Sequence, residues 1–129
     1  MKLLSIEQVA DQWHTLYPTI KEALDHGIGE THMSDILIGL MNSSYQCWIH
    51  GEAVGITKFN QYKRYKQLQL VTCTGPGWFE YAETVLPILE QFAKDTGCRN
   101  VSVWGRKGWE KAMKPYGYDH AYTVLVKEV

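Results

Sequence analysis

The hydrophobic period of this chain switches between helical and strand steps several times, and each switch narrows the architectures open to it. Ile6, Val9, Trp13, Leu16, Ile20 and Leu24 recur every three or four residues, the spacing of one helix face. Ser5 with Gln8 three residues later forms a capping-box pair, so the helix should start there. Pro18 lies inside the run and removes a backbone donor, which leaves two short helices and one continuous helix both open. Gly27 and Gly29 mark a loop, and Ser34 is placed to cap a second helix carrying Ile36, Leu37, Leu40 and Met41.

From Tyr45 the pattern becomes that of strands. Tyr45 to His50 and Ala53 to Phe59 are β-rich runs separated by Gly51-Glu52, a hairpin signal. Lys66 to Thr74 follows a polar loop and alternates, with Leu68, Leu70 and Thr72 on one face and Gln67, Gln69, Val71 and Cys73 on the other. Thr74-Gly75-Pro76-Gly77 ends this third strand. The helical step then returns, with Phe79, Ala82, Leu86, Leu89 and Ala93 on one stripe, Pro87 within it, and Gly97 placed to terminate what reads as the longest helix. Asn100 to Trp104 reads as a buried strand, Trp109 to Lys114 as a short helix, and His120 to Glu128 as a closing strand. The order predicts an α/β (α+β) fold: a mixed sheet with helices on its faces, the strands on either side of the long helix running parallel.

The 129 residues suit a single domain, and 45% apolar with 21% charged residues is ordinary for a folded protein. A net charge of −1 leaves no basic surplus for a polyphosphate backbone, so nucleic acid is not the expected partner. Cys47, Cys73 and Cys98 have no CxxC spacing, which fits reduced thiols and a cytoplasmic setting. No apolar run reaches the ~18 residues of a membrane span, so the chain is expected to be neither secreted nor membrane-inserted. The five histidines lack ligand spacing, and no metal is expected.

This order, from the first helix to the last strand, resembles the GNAT N-acetyltransferase superfamily, lacking at most a leading strand. Gly105-Arg106-Lys107-Gly108-Trp109, then Met113 to Tyr118, looks like the family segment in which a Gly-Phe pair opens the last strand; Gly117-Tyr118 stands in for that pair. The Gly-Arg and Gly-Trp pairs are also similar to short bacteriophage-encoded GNAT-like proteins. The resemblance implies a mostly antiparallel sheet whose third and fourth strands, in the numbering above, run parallel and splay apart. It further implies acetyl-CoA in that gap, its pantetheine lying along Val71, Thr72, Cys73 and Thr74 in the manner of an added strand.

Its pyrophosphate would meet the helix start after Gly75, Gly77 and Trp78, with Arg106 as a further contact. Pro76 removes one amide from that loop, and a plain turn before a helix reads equally well from Gly-x-Gly. Aligning the long helix backwards from Ala93 puts the family's loop glycines near Glu80 and Ala82, where a carboxylate opposes an anion. Acyl transfer to an amine needs a base and an acid. The third strand holds no carboxylate or His, so Glu52 or His50 on the hairpin, or a water, is the candidate base. The position where family members carry an acidic Tyr, four before the Gly-Phe pair, holds Met113, which leaves Tyr116 as the candidate acid.

Two functions therefore stand: an acetyl-CoA-dependent N-acetyltransferase of unread acceptor, or a non-catalytic domain of the same fold acting by protein contact, in a phage particle or on a host component. Other readings are weaker on the residues. Cys73 near a helix start has nucleophile chemistry open to it, beside plain packing. Lys58, Lys63, Arg64 and Lys66 interleave with Phe59, Tyr62 and Tyr65, which suits single-stranded nucleic acid or a solvated loop. Trp104, Arg106, Lys107 and Trp109 read as interface residues or, for Trp104, as core and, for Arg106, as a capping or structural residue.

Overall fold

A computed structural model describes residues 1–26, 29, 31–74, 79–104 and 108–129, with Phe79 described by its backbone alone. Strand β1 (Lys2–Leu3) leads into helix α1 (Ile6–Leu24) and helix α2 (Met33–Met41). Strands β2 (Tyr45–His50), β3 (Ala53–Gln61) and β4 (Lys66–Thr74) follow. A 3₁₀ turn (Phe79–Tyr81) then opens helix α3 (Ala82–Asp95), which is followed by strand β5 (Asn100–Val103), helix α4 (Gly108–Met113) and a 3₁₀ turn (Lys114–Tyr116). Among the described residues the sheet order is β1-β2-β3-β4-β5, antiparallel throughout except for the parallel pair β4 and β5.

The Ser5 and Gln8 capping box forms as expected: Gln8 N donates to Ser5 Oγ at 3.2 Å, and Ser5 N donates to Gln8 Oε1 at 2.9 Å. One helix of 19 residues, longer than α3, then carries Pro18 without a break. Leu16 and Ile20, on either side of the proline, are both buried, so packing on the sheet holds the two halves in line despite the lost donor. Helix α2 is capped from His32 rather than Ser34, because Asp35 Oδ2 accepts from His32 N at 3.0 Å. At the other end of the chain Gly97 takes φ +80, a left-handed conformation that closes α3 by donating to the Lys94 carbonyl.

Each face of the sheet carries its own apolar cluster. Val9, Leu16 and Ile20 of α1 and Ile36 and Leu40 of α2 pack with Cys47, Val54 and Ile56 on one face. Val85, Leu89 and Ala93 of α3 pack with Trp48, Leu68 and Leu70 on the other. A third, smaller cluster joins Ala82 and Leu86 to Met113.

Three sequence expectations fail at the C-terminal end and in β4. His120 to Glu128 forms no strand, and Leu125 is 90% exposed. Trp104 lies outside β5 and is 46% exposed, so it is not a core residue. The alternation of β4 breaks at Val71: Ile56 of β3 pairs with Thr72 and Thr57 with Leu70, so Val71 is an extra residue, a β-bulge. Past the bulge the faces exchange. Val71 packs with the α1 cluster, and Cys73 rather than Thr72 meets the α3 cluster.

Candidate functional site

The bulge at Val71 coincides with the place where β4 and β5 part. Their parallel pairing runs from Gln67 opposite Asn100 to Leu70 opposite Val103, and β5 ends there. β4 continues to Thr74 and stays paired with β3 through Thr72, Cys73 and Thr74, while its other edge has no strand partner among the described residues. An extra residue bends a strand and increases its twist, which turns this stretch of β4 away from its neighbour.

The opposite end of the pair is clamped. Gln67 Nε2 donates to Asn100 Oδ1 at 2.9 Å, and Ser102 Oγ donates to Gln67 Oε1 at 2.8 Å. Asn60 Nδ2 reaches Gln69 Oε1 at 2.8 Å, and Lys66 Nζ reaches the Thr96 carbonyl at 3.0 Å. Arg99 N donates to the Lys66 carbonyl at 2.8 Å. A pair of strands tied at one end and parted at the other forms a V, whose β4 arm has no strand partner among the described residues.

The loop that closes β4 leads to the 3₁₀ turn and α3, whose first turn has no side-chain cap. Such a helix start presents amide donors and a partial positive charge. Glu80 and Glu83 occupy the same region. Gly75, Gly77, Trp78 and Arg106 lie outside the described residues.

The candidate proton-transfer groups do not converge. Glu52 is exposed in the β2–β3 turn, at the Thr74 end of the sheet, since Val54 two residues on pairs with Thr74. Tyr116 instead lines a groove with Arg99, Asn100 and Val101, beside the clamped end of β5. The two ends of β4 from Gln67 to Thr74 are about 23 Å apart at ~3.3 Å per residue, so Tyr116 and Glu52 do not share one reaction centre. Met113, at 4% exposure, packs against Ala82 and Leu86 with Val103 alongside, next to the point where β5 ends. A thioether thus occupies the place where the resemblance would put a phenol.

The arrangement also supplies a pair that no sequence motif signals. The His50 ring meets the Tyr81 ring edge-on, with centroids 4.4 Å apart, where the end of β2 approaches the start of α3. Both residues carry exchangeable protons, and Tyr81 is 40% exposed. Their proximity arises from the packing of α3 across the sheet, which a one-dimensional pattern does not encode.

Cys73 is not poised as a nucleophile: burial pushes its thiol well above the usual range, which disfavours the thiolate. Tyr118 is the phenol with a defined acceptor, donating to Glu90 Oε2 at 3.0 Å, and burial together with the Glu90 carboxylate raises it further. The basic hairpin is partly consumed by the fold. Phe59 stacks on Phe92 with centroids 5.8 Å apart, and Lys66 lies 4.0 Å from the Phe59 ring centre. Among the described residues no cluster of His, Cys, Asp and Glu could hold a metal ion, and no helix is long and apolar enough to cross a membrane.

No protein-family model matches the chain, and no curated protein matches it in sequence. Solved structures do match. A probable acetyltransferase superposes with a TM-score of 0.69 over 100% of both chains at 12% identity. A predicted acetyltransferase from Clostridium acetobutylicum, solved with acetyl-CoA, gives 0.69 over 98% of this chain and 94% of its own at 15% identity. The fold is that of the GNAT acetyltransferases. An aminoglycoside acetyltransferase from an uncultured soil sample gives 0.65 over 99% of this chain and 94% of its own at 9% identity. Among the described residues the mixed five-stranded sheet with one parallel pair matches these acetyltransferase structures, and the short β1 supplies the leading strand that the sequence left in doubt.

Proposed function

We propose that this chain binds acetyl-CoA in the V between β4 and β5 and transfers its acetyl group to an amine. The carrying observation is the free β4 edge from Val71 to Thr74, opened by the bulge and left without a strand partner among the described residues. A pantetheine arm presents amide groups that can pair with such an edge as an added strand does. The α3 start offers a positive end toward the diphosphate, with Gly75, Gly77, Trp78 and Arg106 as the loop and strand-end contacts. Bound there, acetyl-CoA supplies an activated thioester.

The chain's own residues then have three tasks: removing a proton from the acceptor ammonium, directing the amine into the V, and protonating the CoA thiolate that leaves as the amide bond forms. His50, Glu52 or a water serves as base, and Tyr81 is better placed than Tyr116 to donate a proton, because it stands with His50 at the open end of the sheet. The acceptor is an amine of unassigned class.

A second reading is favoured by two observations. Met113 fills the acid position and β4 carries no carboxylate, which supports a non-catalytic GNAT domain that acts through protein contact, in a phage particle or against a host component.

Thermal unfolding with CoA separates these readings. For a dissociation constant of about 10 μM, 1 mM CoA stabilises the native state by about 2.7 kcal/mol. In a domain of this size that raises the melting temperature by roughly 10 °C. An unchanged melt at millimolar CoA removes the cofactor reading. A shift in Tm without release of CoA thiol in a panel of amines leaves the non-catalytic reading. Where turnover is seen, His50→Ala, Glu52→Gln, Tyr81→Phe and Tyr116→Phe assign the proton transfers, with the pH profile as readout.

A further inference from the structure

The carboxylates of this chain leave one part of the sheet to the cations. All fourteen Asp and Glu residues lie outside residues 53–79, which carry Lys58, Lys63, Arg64 and Lys66. Residues 96–109 also lack a carboxylate, and Arg99 among them donates its backbone N–H to the Lys66 carbonyl at 2.8 Å, which brings it to the same end of the sheet. Among the described residues none of these cations forms an ion pair. Lys58 and Lys66 lie over the Tyr45 and Phe59 rings, so the exposed Lys63, Arg64 and Arg99 are the cations left to a partner.

The β3–β4 loop that holds Lys63 and Arg64 is braced by its own side chains. Tyr62 N donates to the Tyr65 carbonyl at 2.9 Å, and Gln61 Nε2 donates to the Tyr62 and Tyr65 carbonyls at 3.0 and 3.3 Å. The Tyr62 and Tyr65 rings then stand side by side with centroids 5.1 Å apart, and the Arg99 guanidinium lies 5.4 Å from the Tyr65 ring centre. This cation–π contact holds Arg99 in place and leaves Tyr62 40% exposed. Two further rings continue the row. Burial, and then the Tyr62 and Tyr65 hydroxyls, hold the Tyr122 phenol above its usual range, which places the three side chains near one another. The Tyr122 ring in turn meets Trp104 edge-on with centroids 6.1 Å apart, and the two are 60 and 46% exposed.

Free cations beside exposed rings select a partner that carries both phosphates and open base faces. An acidic peptide or an inorganic polyphosphate satisfies the cations and leaves the rings in water. A duplex hides its base faces inside the stack. A single strand offers both, and every base has a π-face that an aromatic side chain can receive. The net charge of −1 does not oppose this, because at physiological salt a charge is screened beyond about 8 Å. Asp95, the carboxylate nearest to Arg99 in sequence, already accepts from Gln91 Nε2 at 2.8 Å.

We propose that this face binds single-stranded nucleic acid, its bases stacking on Tyr62, Tyr122 and Trp104 and its phosphates meeting Lys63, Arg64 and Arg99. Tyr65 acts as a positioning residue, keeping the Arg99 guanidinium against its ring. The contacts go to base faces and backbone rather than base edges, so binding carries little sequence preference. The β4 edge from Val71 to Thr74 takes no part, and nothing in this depends on whether CoA binds.

Fluorescence anisotropy of labelled oligothymidine and oligouridine, each of about 20 nucleotides, with the full chain tests the proposal. Three phosphates neutralised on a single strand give a slope of about −2 for the logarithm of affinity against that of salt. Tyr62→Ala should weaken binding about 5- to 150-fold, the loss of one stack of about 1–3 kcal/mol, while Tyr62→Phe keeps the native affinity. Lys63→Ala combined with Arg64→Ala should flatten the slope to about −0.7. All three positions are exposed in a loop, so each variant should keep the native circular dichroism. Binding to neither oligonucleotide at about 50 mM salt overturns the proposal. So does a duplex of the same length held as tightly, since charge alone then accounts for the affinity. An affinity untouched by Tyr62→Ala, or a slope untouched by the double charge variant, refutes it equally.

Discussion

Thr57→Val is the substitution whose cost is most directly calculable, and it acts at the residue facing the bulge. Thr57 is fully buried and pairs with Leu70, immediately before Val71. Its hydroxyl accepts from Trp48 Nε1 at 2.9 Å and donates to Gln46 Oε1 at 2.7 Å. Valine has nearly the same shape, so packing is preserved while both bonds disappear. Each buried group left unpaired costs roughly 1–3 kcal/mol, giving about 2–6 kcal/mol together.

For a domain of this length, between the sizes with measured scaling, each kcal/mol moves the melting temperature by about 3–5 °C. The expected fall is therefore about 6–30 °C, measured by circular dichroism. Thr57→Ser keeps the hydroxyl and deletes one methyl, so it should cost only about 1 kcal/mol. The damage should also reach Trp48, whose ring sits edge-on to Phe92 of α3 with centroids 5.0 Å apart, and the near-ultraviolet spectrum reads this directly. A Val variant that melts within about 3 °C of the native chain refutes the network's role. So does a Ser variant as damaged as the Val variant.

Alkaline pH should destabilise the fold. Burial pushes the Cys47 thiol from 9.0 up to about 12 and raises Cys73 and Tyr118 in the same direction. Groups raised in the native state contribute stability that is complete below the unfolded pKa and is lost as pH climbs toward the folded one; at pH 10 the loss from Cys47 is about 1.4 kcal/mol, read by urea unfolding at pH 7 and 10. Stability that rises over this interval contradicts the assignment. Gly39→Ala should cost about 1–3 kcal/mol, because the added methyl would come within 2.6 Å of Tyr45 Cγ; an unchanged melting temperature would show that Tyr45 yields freely. Ser5→Ala removes the α1 cap and should lower stability by about 1 kcal/mol in the same assay.

Local chemistry made several elements readable in advance. The α1 start was legible because Ser5 and Gln8 satisfy each other within one turn, and the β2–β3 hairpin because two β-rich runs flank Gly51. The α3 end was legible because Gly97 alone tolerates the left-handed turn required there. The parallel β4 and β5 pair followed from the helix between them. The expected splay around Val71 to Thr74 corresponds to the point where β4–β5 pairing stops. Its cause, the bulge, was not legible, since an extra residue in β4 is defined only against the register of β3.

Where the reading missed, a distant contact outweighed a local preference. The continuity of α1 through Pro18 depends on Leu16 and Ile20 reaching the sheet. The His50 and Tyr81 pair exists because α3 crosses the sheet beside the end of β2. The tail shows the reverse: Ala121 to Val126 has strand composition, but composition cannot supply a neighbour, and the stretch forms no strand. From the sequence alone come the elements, their order and their apolar faces, because these depend on residues within a turn or two of one another. Register, the opening of the V, and which polar groups stand together belong to the tertiary structure, because each is a relation between backbones far apart in the chain.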